Sequence, residues 1–507
     1  MLALLQAQNQ ELQRCDGLRA QNQLLQVRCD GLQALEPLQA QNRQLQTHNQ
    51  QLQGQNQQLQ AKNQQLQAKN QQLQAAVEPL HAQNQQLQQK VVALEPLAGR
   101  VRALEGDDEA GGRRRRQHVG PAPHDAPPSD AAMARMGLAE VVMALRTHTA
   151  VARVAKAACV RLVDLCAEAG SRQRAADTEA LEATVEVLRA HPMAATVQEQ
   201  GCWLLANVCS GSDACKRLQR AAEAGALEAA VAALRAHPQS AGVQVQACAV
   251  LRNVSCGADT EGAARRQRAV GAGALEAAVE AMRAHPRWAA VQVQACGLLL
   301  AVCCGNDAAG AARRQRAADA EALEAAVEAL QAHPQAVGVQ EHGCRLLGSV
   351  CCGTDAGAGS ARRQRAAGAG ALEAAVRALR AHPQAAAVVE EACTVIANVC
   401  GGGDDVGAGC RQRAADAEAL EAAVEAMRAH PQSEAVQLRG SRVLGSVCDG
   451  TDASGKARLQ RAILAGARAA ATASRQAHPG NASLQNAGRA LLAQLGFPPI
   501  VGSPRFN

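Results

Sequence analysis

The feature that most limits how this chain can fold is a His-Pro pair that returns every 46 to 49 residues. It stands at His191, His237, His285, His333, His382, His430 and His478, and a degenerate copy, His148 followed by Thr149, precedes them. A period of this size marks stacked supersecondary units, each touching only its neighbours. One unit cannot bury its apolar face alone, so the expected product is a solenoid of about eight repeats. Composition narrows the element type. Hydrophobic residues make up 48% of the 507 residues but aromatic ones only 1%, with two Trp, two Phe and no Tyr. A core of Ala, Leu, Val and Cys suits close helix packing. It argues against sandwiches and barrels, which draw on β-branched and aromatic residues.

Three helix-like pieces follow one another within each period. Arg265-Arg266-Gln267-Arg268 belongs to a short basic piece that ends at a Gly-Ala-Gly turn. Leu275, Val279 and Met282 then fall at i, i+4 and i+7, one apolar helical face. His285 sits at the end of that helix, where a partial positive charge is favoured, and Pro286 stops it. A third helix is expected over about 291–304.

Counted from each His as zero, position 10 of the third helix is always small, as in Ala158, Gly201, Ala247 and Gly343. Position 14 is always aliphatic, as in Leu162, Leu205, Leu251 and Ile396. Positions 9, 12 and 16 fall on the opposite face. Position 16 reads Asp164, Asn207, Asn253, Ala301, Ser349, Asn398, Ser446 and Gln494; position 12 includes Trp203, Arg345, Thr394 and Arg442; position 9 includes Gln200, His342, Glu391 and Arg439.

The unit resembles the armadillo repeat: a short first helix H1, an H2 beginning at Gly-Ala-Leu, and a longer H3 with a Val-Gln start. Residues 267–301 lie close to that consensus. The His-Pro variant is similar to repeats in the armadillo region of large leucine-rich-repeat kinases, although no kinase motif occurs here. The resemblance implies an all-α, right-handed α-solenoid whose H3 face lines a concave groove. In that family an Asn at position 16 bonds the backbone of an extended peptide. Asn207, Asn253 and Asn398 match that role, and Trp203 with Asn207 forms one WxxxN pair as in import receptors. Arg345, Arg439 and Arg442 occupy the later rungs, so an acidic or neutral peptide fits better than a basic one. The plain alternative is that these polar side chains only solvate the groove.

Ahead of the repeats, residues 1–105 are rich in Gln, Asn and Leu. Leu45, Leu52, Leu59, Leu66 and Leu73 recur every seven residues, with Asn56, Asn63 and Asn70 at half-heptad positions. Leu at d and Asn at a describe a coiled-coil seam, and buried Asn pairs favour a parallel, in-register homodimer. Pro37, Pro79 and Pro96 divide it into helical segments. A Gln-rich tract that stays partly disordered is the alternative. Residues 106–130 read as a disordered, charged and Pro-rich linker in which Arg113 to Arg116 form a solvated charge run or a nuclear-import signal. The repeats occupy 131–496 and a short tail 497–507.

No enzyme is expected. Residues that recur seven times are architecture, whereas an active site appears once, and no nucleophile and base stand apart from the repeats. No metal or other cofactor is expected either. The cysteines that recur at position 11 (Cys159 to Cys393) and position 18 (Cys166 to Cys448) contain no CxxC pair and read as small core residues. Gly450 to Lys456 has the spacing of a phosphate-binding loop, but Ala457 stands where Ser or Thr is needed and no strand precedes it. A net charge of +6 is mild, and few bases could stack on so aromatic-poor a surface, so nucleic acid is not an expected partner.

The expectation is a protein–protein interaction scaffold that binds an extended peptide or partner protein in the H3 groove. The alternative function rests on Arg174, Arg220, Arg268, Arg316, Arg365, Arg413 and Arg461, one per H1 of every full repeat: an arginine ridge that binds RNA or acidic lipid headgroups. The bland reading pairs them in a ladder with Glu182, Glu228, Glu276, Glu324, Glu373 and Glu421 at the H2 starts. The chain opens with no signal-peptide pattern and has no apolar run of the ~18 residues a membrane span needs. With its many cysteines this points to a reducing compartment, cytoplasm or nucleus.

Overall fold

The computed structural model describes residues 127–496, apart from Glu168, Ser212 and residues 354–356, together with Gln50. The chain divides into two units, Met1–Gly120 and Pro121–Asn507, and all described residues but Gln50 fall in the second. The coiled-coil seam, most of the 106–130 linker and the 497–507 tail lie outside the described residues.

Every regular element among the described residues is an α-helix, and the helices follow in trios of H1, H2 and H3. One trio is Thr260–Ala272, Ala274–Ala284 and Ala289–Cys303. H1 starts where Asp259 caps it, its carboxylate accepting from the Gly262 amide at 2.7 Å. Asp307, Asp404 and Asp452 do the same for Gly310, Gly407 and Gly455. A side chain at Gly455 would run into the Gly450 carbonyl. The phosphate-loop spacing of Gly450 to Lys456 is therefore a helix-capping turn.

H1 and H2 meet at an elbow that needs a left-handed residue. Gly225, Gly273, Gly370 and Gly466 supply it at φ between 91° and 97°, while Glu179, Glu321 and Glu418 adopt φ of 63° to 66°. Where the residue is Glu, an arginine from the preceding H2 pairs with it: Arg146 with Glu179, Arg283 with Glu321, Arg380 with Glu418. At Gly225, Gly273 and Gly466 the arginine passes over the bare Cα, and Arg189 donates to the Ala224 carbonyl at 3.1 Å, whereas the H2 before Gly370 carries Gln331 in its place.

The His-Pro signature links neighbouring units as well as ending H2. The His285 amide closes H2 on the Ala281 carbonyl. Its ring Nε2 lies 2.9 Å from the Pro238 carbonyl one unit earlier, and a carbonyl can only accept, so Nε2 carries a proton. The same strut joins His237 to Pro192, His333 to Pro286, His382 to Pro334, His430 to Pro383 and His478 to Pro431. The Gln of the Val-Gln start also has a structural task. Gln244 is buried and donates to the Leu234 and His237 carbonyls, both at 2.9 Å, fastening H3 to the exposed end of H2.

H3 helices pack on one another in a row and on their own H2. Leu205, Leu251, Leu299 and Leu347 at position 14 are fully buried. Position 10 is small because H2 lies against it: a Cβ at Gly201 would come within 2.6 Å of the Leu188 side chain. The buried Cys ladder at position 11 runs through this interior. Burial pushes the thiols of Cys159, Cys202, Cys248, Cys296 and Cys393 up to about 12, so they stay protonated at neutral pH.

Candidate partner-binding face

The row of H3 helices comprises Ala152–Leu165, Ala195–Val208, Ala241–Val254, Ala289–Cys303, Val337–Cys351, Ala386–Val399, Glu434–Val447 and Ala482–Gln494. What fastens five of them is a buried arginine from the H1 that follows, which the periodicity alone did not single out. Arg265 is 3% exposed, yet it faces no carboxylate closer than 3.9 Å. Its Nε donates to the Val254 carbonyl at 2.8 Å and its other nitrogens to Cys256 O and to the Gln219 side chain of the preceding unit. The C-terminus of a helix carries unpaired carbonyls and a partial negative charge, and one guanidinium answers both. Arg217, Arg313 and Arg458 repeat the arrangement on Val208, Val302 and Val447. The available signal was an arginine two residues before the Gln-Arg pair of the following H1, present at Arg217, Arg265, Arg313, Arg362 and Arg458 and replaced by Cys410 after Ala386–Val399.

Six of the seven ridge arginines are committed elsewhere, while Arg174 donates to the Ser171 hydroxyl at 2.8 Å. Arg220, Arg268, Arg316, Arg365, Arg413 and Arg461 pair with Glu182, Glu228, Glu276, Glu324, Glu373 and Glu421 of the preceding unit at 2.5 to 3.1 Å. This corrects the picture of a free cationic ridge for RNA or lipid. Each of these six charges is already balanced, one layer back.

The sequence-selected rungs do not behave alike. Asn253 donates its side-chain amide to the Ala206 carbonyl of the preceding H3 at 2.9 Å, and Asn398 does the same to Gly348. Gln494, at the same position of the last H3, reaches Gly445 O at 3.3 Å. These amides staple one H3 to the next. Asn207 makes no side-chain hydrogen bond among the described residues, and Trp203, one turn before it, is 40% exposed. Between them the buried Leu204 and Leu205 hold the helix down. Trp203 and Asn207 thus form an open part of the face.

Further along, position 12 is Ala249 and then Gly297, where the Arg252 side chain lies close. Arg345 follows, held between Glu341 at 3.2 Å and Glu391 at 2.7 Å. Partial burial works against the charge on Arg345, but its hydrogen bond to Glu391 and the neighbouring carboxylates outweigh that and hold the guanidinium above its ordinary range. Arg439 and exposed Arg442 make no ion pair among the described residues. The charge of this face is therefore balanced in its middle and positive toward its C-terminal end.

No group of three or more metal-ligating side chains converges among the described residues, and no described helix is long and apolar enough to cross a membrane. The described cysteines are free thiols.

The geometry makes this a helical-repeat protein. No family model matches the chain, and no curated protein does. Among solved structures it is similar to one from work on a phosphorylation switch that controls the interaction between cadherin and beta-catenin, with 14% identity and a TM-score of 0.42 over 70% of this chain and 78% of that one.

Proposed function

We propose that this chain is a non-enzymatic, armadillo-like scaffold that holds an extended segment of another protein along its H3 row. The observation that carries the reading is the pair on Ala195–Val208: an exposed indole one turn from a side-chain amide with no partner of its own. An amide can donate to a peptide carbonyl and accept from a peptide N–H, and the indole adds apolar area beside it. Arg442 at the far end favours an acidic or neutral segment over a basic one. The Leu and Asn heptads of residues 45–73 would bring two copies together in parallel, and two linked faces raise avidity. Free buried thiols suit a reducing compartment, cytoplasm or nucleus.

The test places a photo-crosslinking amino acid at position 203 and, as a control, at Leu464, which is 78% exposed on an H1. Crosslinks to a discrete partner from position 203 alone, lost on Asn207→Ala with the melting temperature unchanged, are expected. Equal labelling from both positions would sink the reading.

A further inference from the structure

The repeats are regular enough that their departures can be located, and several meet at one place. A cleft of about 690 Å³ lies between the end of Ala386–Val399 and the last two H3 helices. It is lined by Gly401, Arg411, Ser441, Arg442, Asp449 and Gln494, among others.

Position 11 of H3 is Cys in the six units from Cys159 to Cys393, but Ser441 in this one. Ser441 is 2% exposed, and its hydroxyl has no hydrogen-bond partner. A buried hydroxyl without a partner is unfavourable; Ser255 and Ser474 share that state, but Ser441 stands at the wall of this cleft, where a ligand could supply the acceptor. Cys410 stands where Arg265, Arg313 and Arg458 stand in other units. In those units the guanidinium reaches the carbonyl just past H3, at Cys256, Cys304 or Asp449. Here the equivalent carbonyl is that of Gly401, no guanidinium bonds it among the described residues, and Gly401-Gly402-Gly403 adds no side chain to the corner.

The charge of the cleft is set by three groups. Arg411 donates to Gly402 O at 2.7 Å and lies 3.6 Å from Asp449, which it largely balances. Arg442 is exposed and unmatched. The lining therefore carries one positive charge in excess, beside a hydroxyl free to donate.

We propose that this cleft is an oxyanion pocket that takes the carboxylate of a Glu or Asp side chain from a segment lying along the H3 row. Arg442 supplies the charge, Ser441 the buried donor, and the missing arginine at 410 the room. The pocket deepens the scaffold reading and rests on it, because the segment that brings the carboxylate is the one held at Trp203 and Asn207. The size of the cleft, within the range of small-ligand sites, accommodates one acidic side chain with its flanking backbone.

The test uses the full chain and two labelled peptides of one length, one Glu-rich and one with every Glu replaced by Gln, read by fluorescence anisotropy. The Glu peptide is expected to bind more tightly. Ser441→Cys and Arg442→Ala should each weaken it by about tenfold, as for loss of a charge-assisted hydrogen bond, and leave the Gln peptide unchanged. Cys410→Arg should weaken it too, by refilling the corner. Ser441→Cys and Cys410→Arg restore residues that other units carry, so folding is preserved and melting checks it. Equal binding of the two peptides, or unaltered affinity in Ser441→Cys and Arg442→Ala, overturns the pocket. Saturable inorganic phosphate binding that the Glu peptide does not compete with overturns the peptide as its source. Loss of Glu preference with Trp203-dependent capture intact removes this pocket alone, whereas loss of capture at Trp203 removes the scaffold reading.

Discussion

Arg265 shows how much one residue contributes in this architecture. A guanidinium buried without a close carboxylate would be strongly unfavourable if it were not hydrogen-bonded, and here three receptors at fixed angles take it up. A lysine carries the same charge but lacks the planar fork. Arg265→Lys should therefore lower the unfolding free energy by about 1–3 kcal/mol, leaving the Val254 and Cys256 carbonyls underfilled. Arg268→Lys, three residues on, changes a half-exposed ion pair with Glu228 and should cost less than about 1 kcal/mol. Chemical denaturation of the two variants side by side makes the comparison, and equal losses would mean that the buried fork has no special role. His285 follows the same logic. The sequence identified it as a helix terminator, but its ring is also a strut to Pro238, and that contact spans 47 residues.

At the scale of the helix, position 16 of H3 divides into two tasks that look alike in the sequence. Asn253 and Asn398 are bonded to the helix before them, so Asn253→Ala should cost about 1 kcal/mol of stability, the typical worth of one such bond. Asn207→Ala should leave stability within about 0.5 kcal/mol, as for a surface change, and act on partner capture instead. Thermal melts of the two single variants separate the cases. A larger loss from Asn207 than from Asn253 would contradict the assignment. The difference has a physical origin: whether the amide meets a carbonyl depends on how closely two H3 helices approach and on what lies at position 15 of the earlier one. Ala206 and Gly348 occupy that place for the two stapling asparagines.

On the scale of the whole molecule, a row of units that touch only their neighbours has no single core, and its two ends need not resemble its middle. Here the open Trp203 and Asn207 lie toward one end and the Ser441 cleft toward the other, with the Arg345, Glu341 and Glu391 cluster between. Association adds a further layer. If the Leu and Asn heptads pair two chains, light scattering should report twice the chain mass for the full-length protein and a single chain mass for a protein beginning at residue 131. The same oligomeric state in both would rule out the heptads as the dimer element.

The sequence by itself determined the helical class, the length of the repeat, the ends of H2 and the buried stripe of Leu205, Leu251 and Leu299. Those follow from period and polarity, which are local and are written once per unit. The Arg and Glu ladder was legible too, because it recurs at fixed offsets, but not that each pair crosses from one unit to the next. Only the tertiary structure decided which polar rungs are spent inside the stack and which stay open. Asn207 and Asn253 are the same residue at the same offset, and their difference lies in a neighbouring backbone 47 residues away from Asn253. Ser441 and Cys410 likewise look like scattered substitutions along the chain. Packing places them around one cleft, because stacking converts a distance of one period in sequence into a single layer in space.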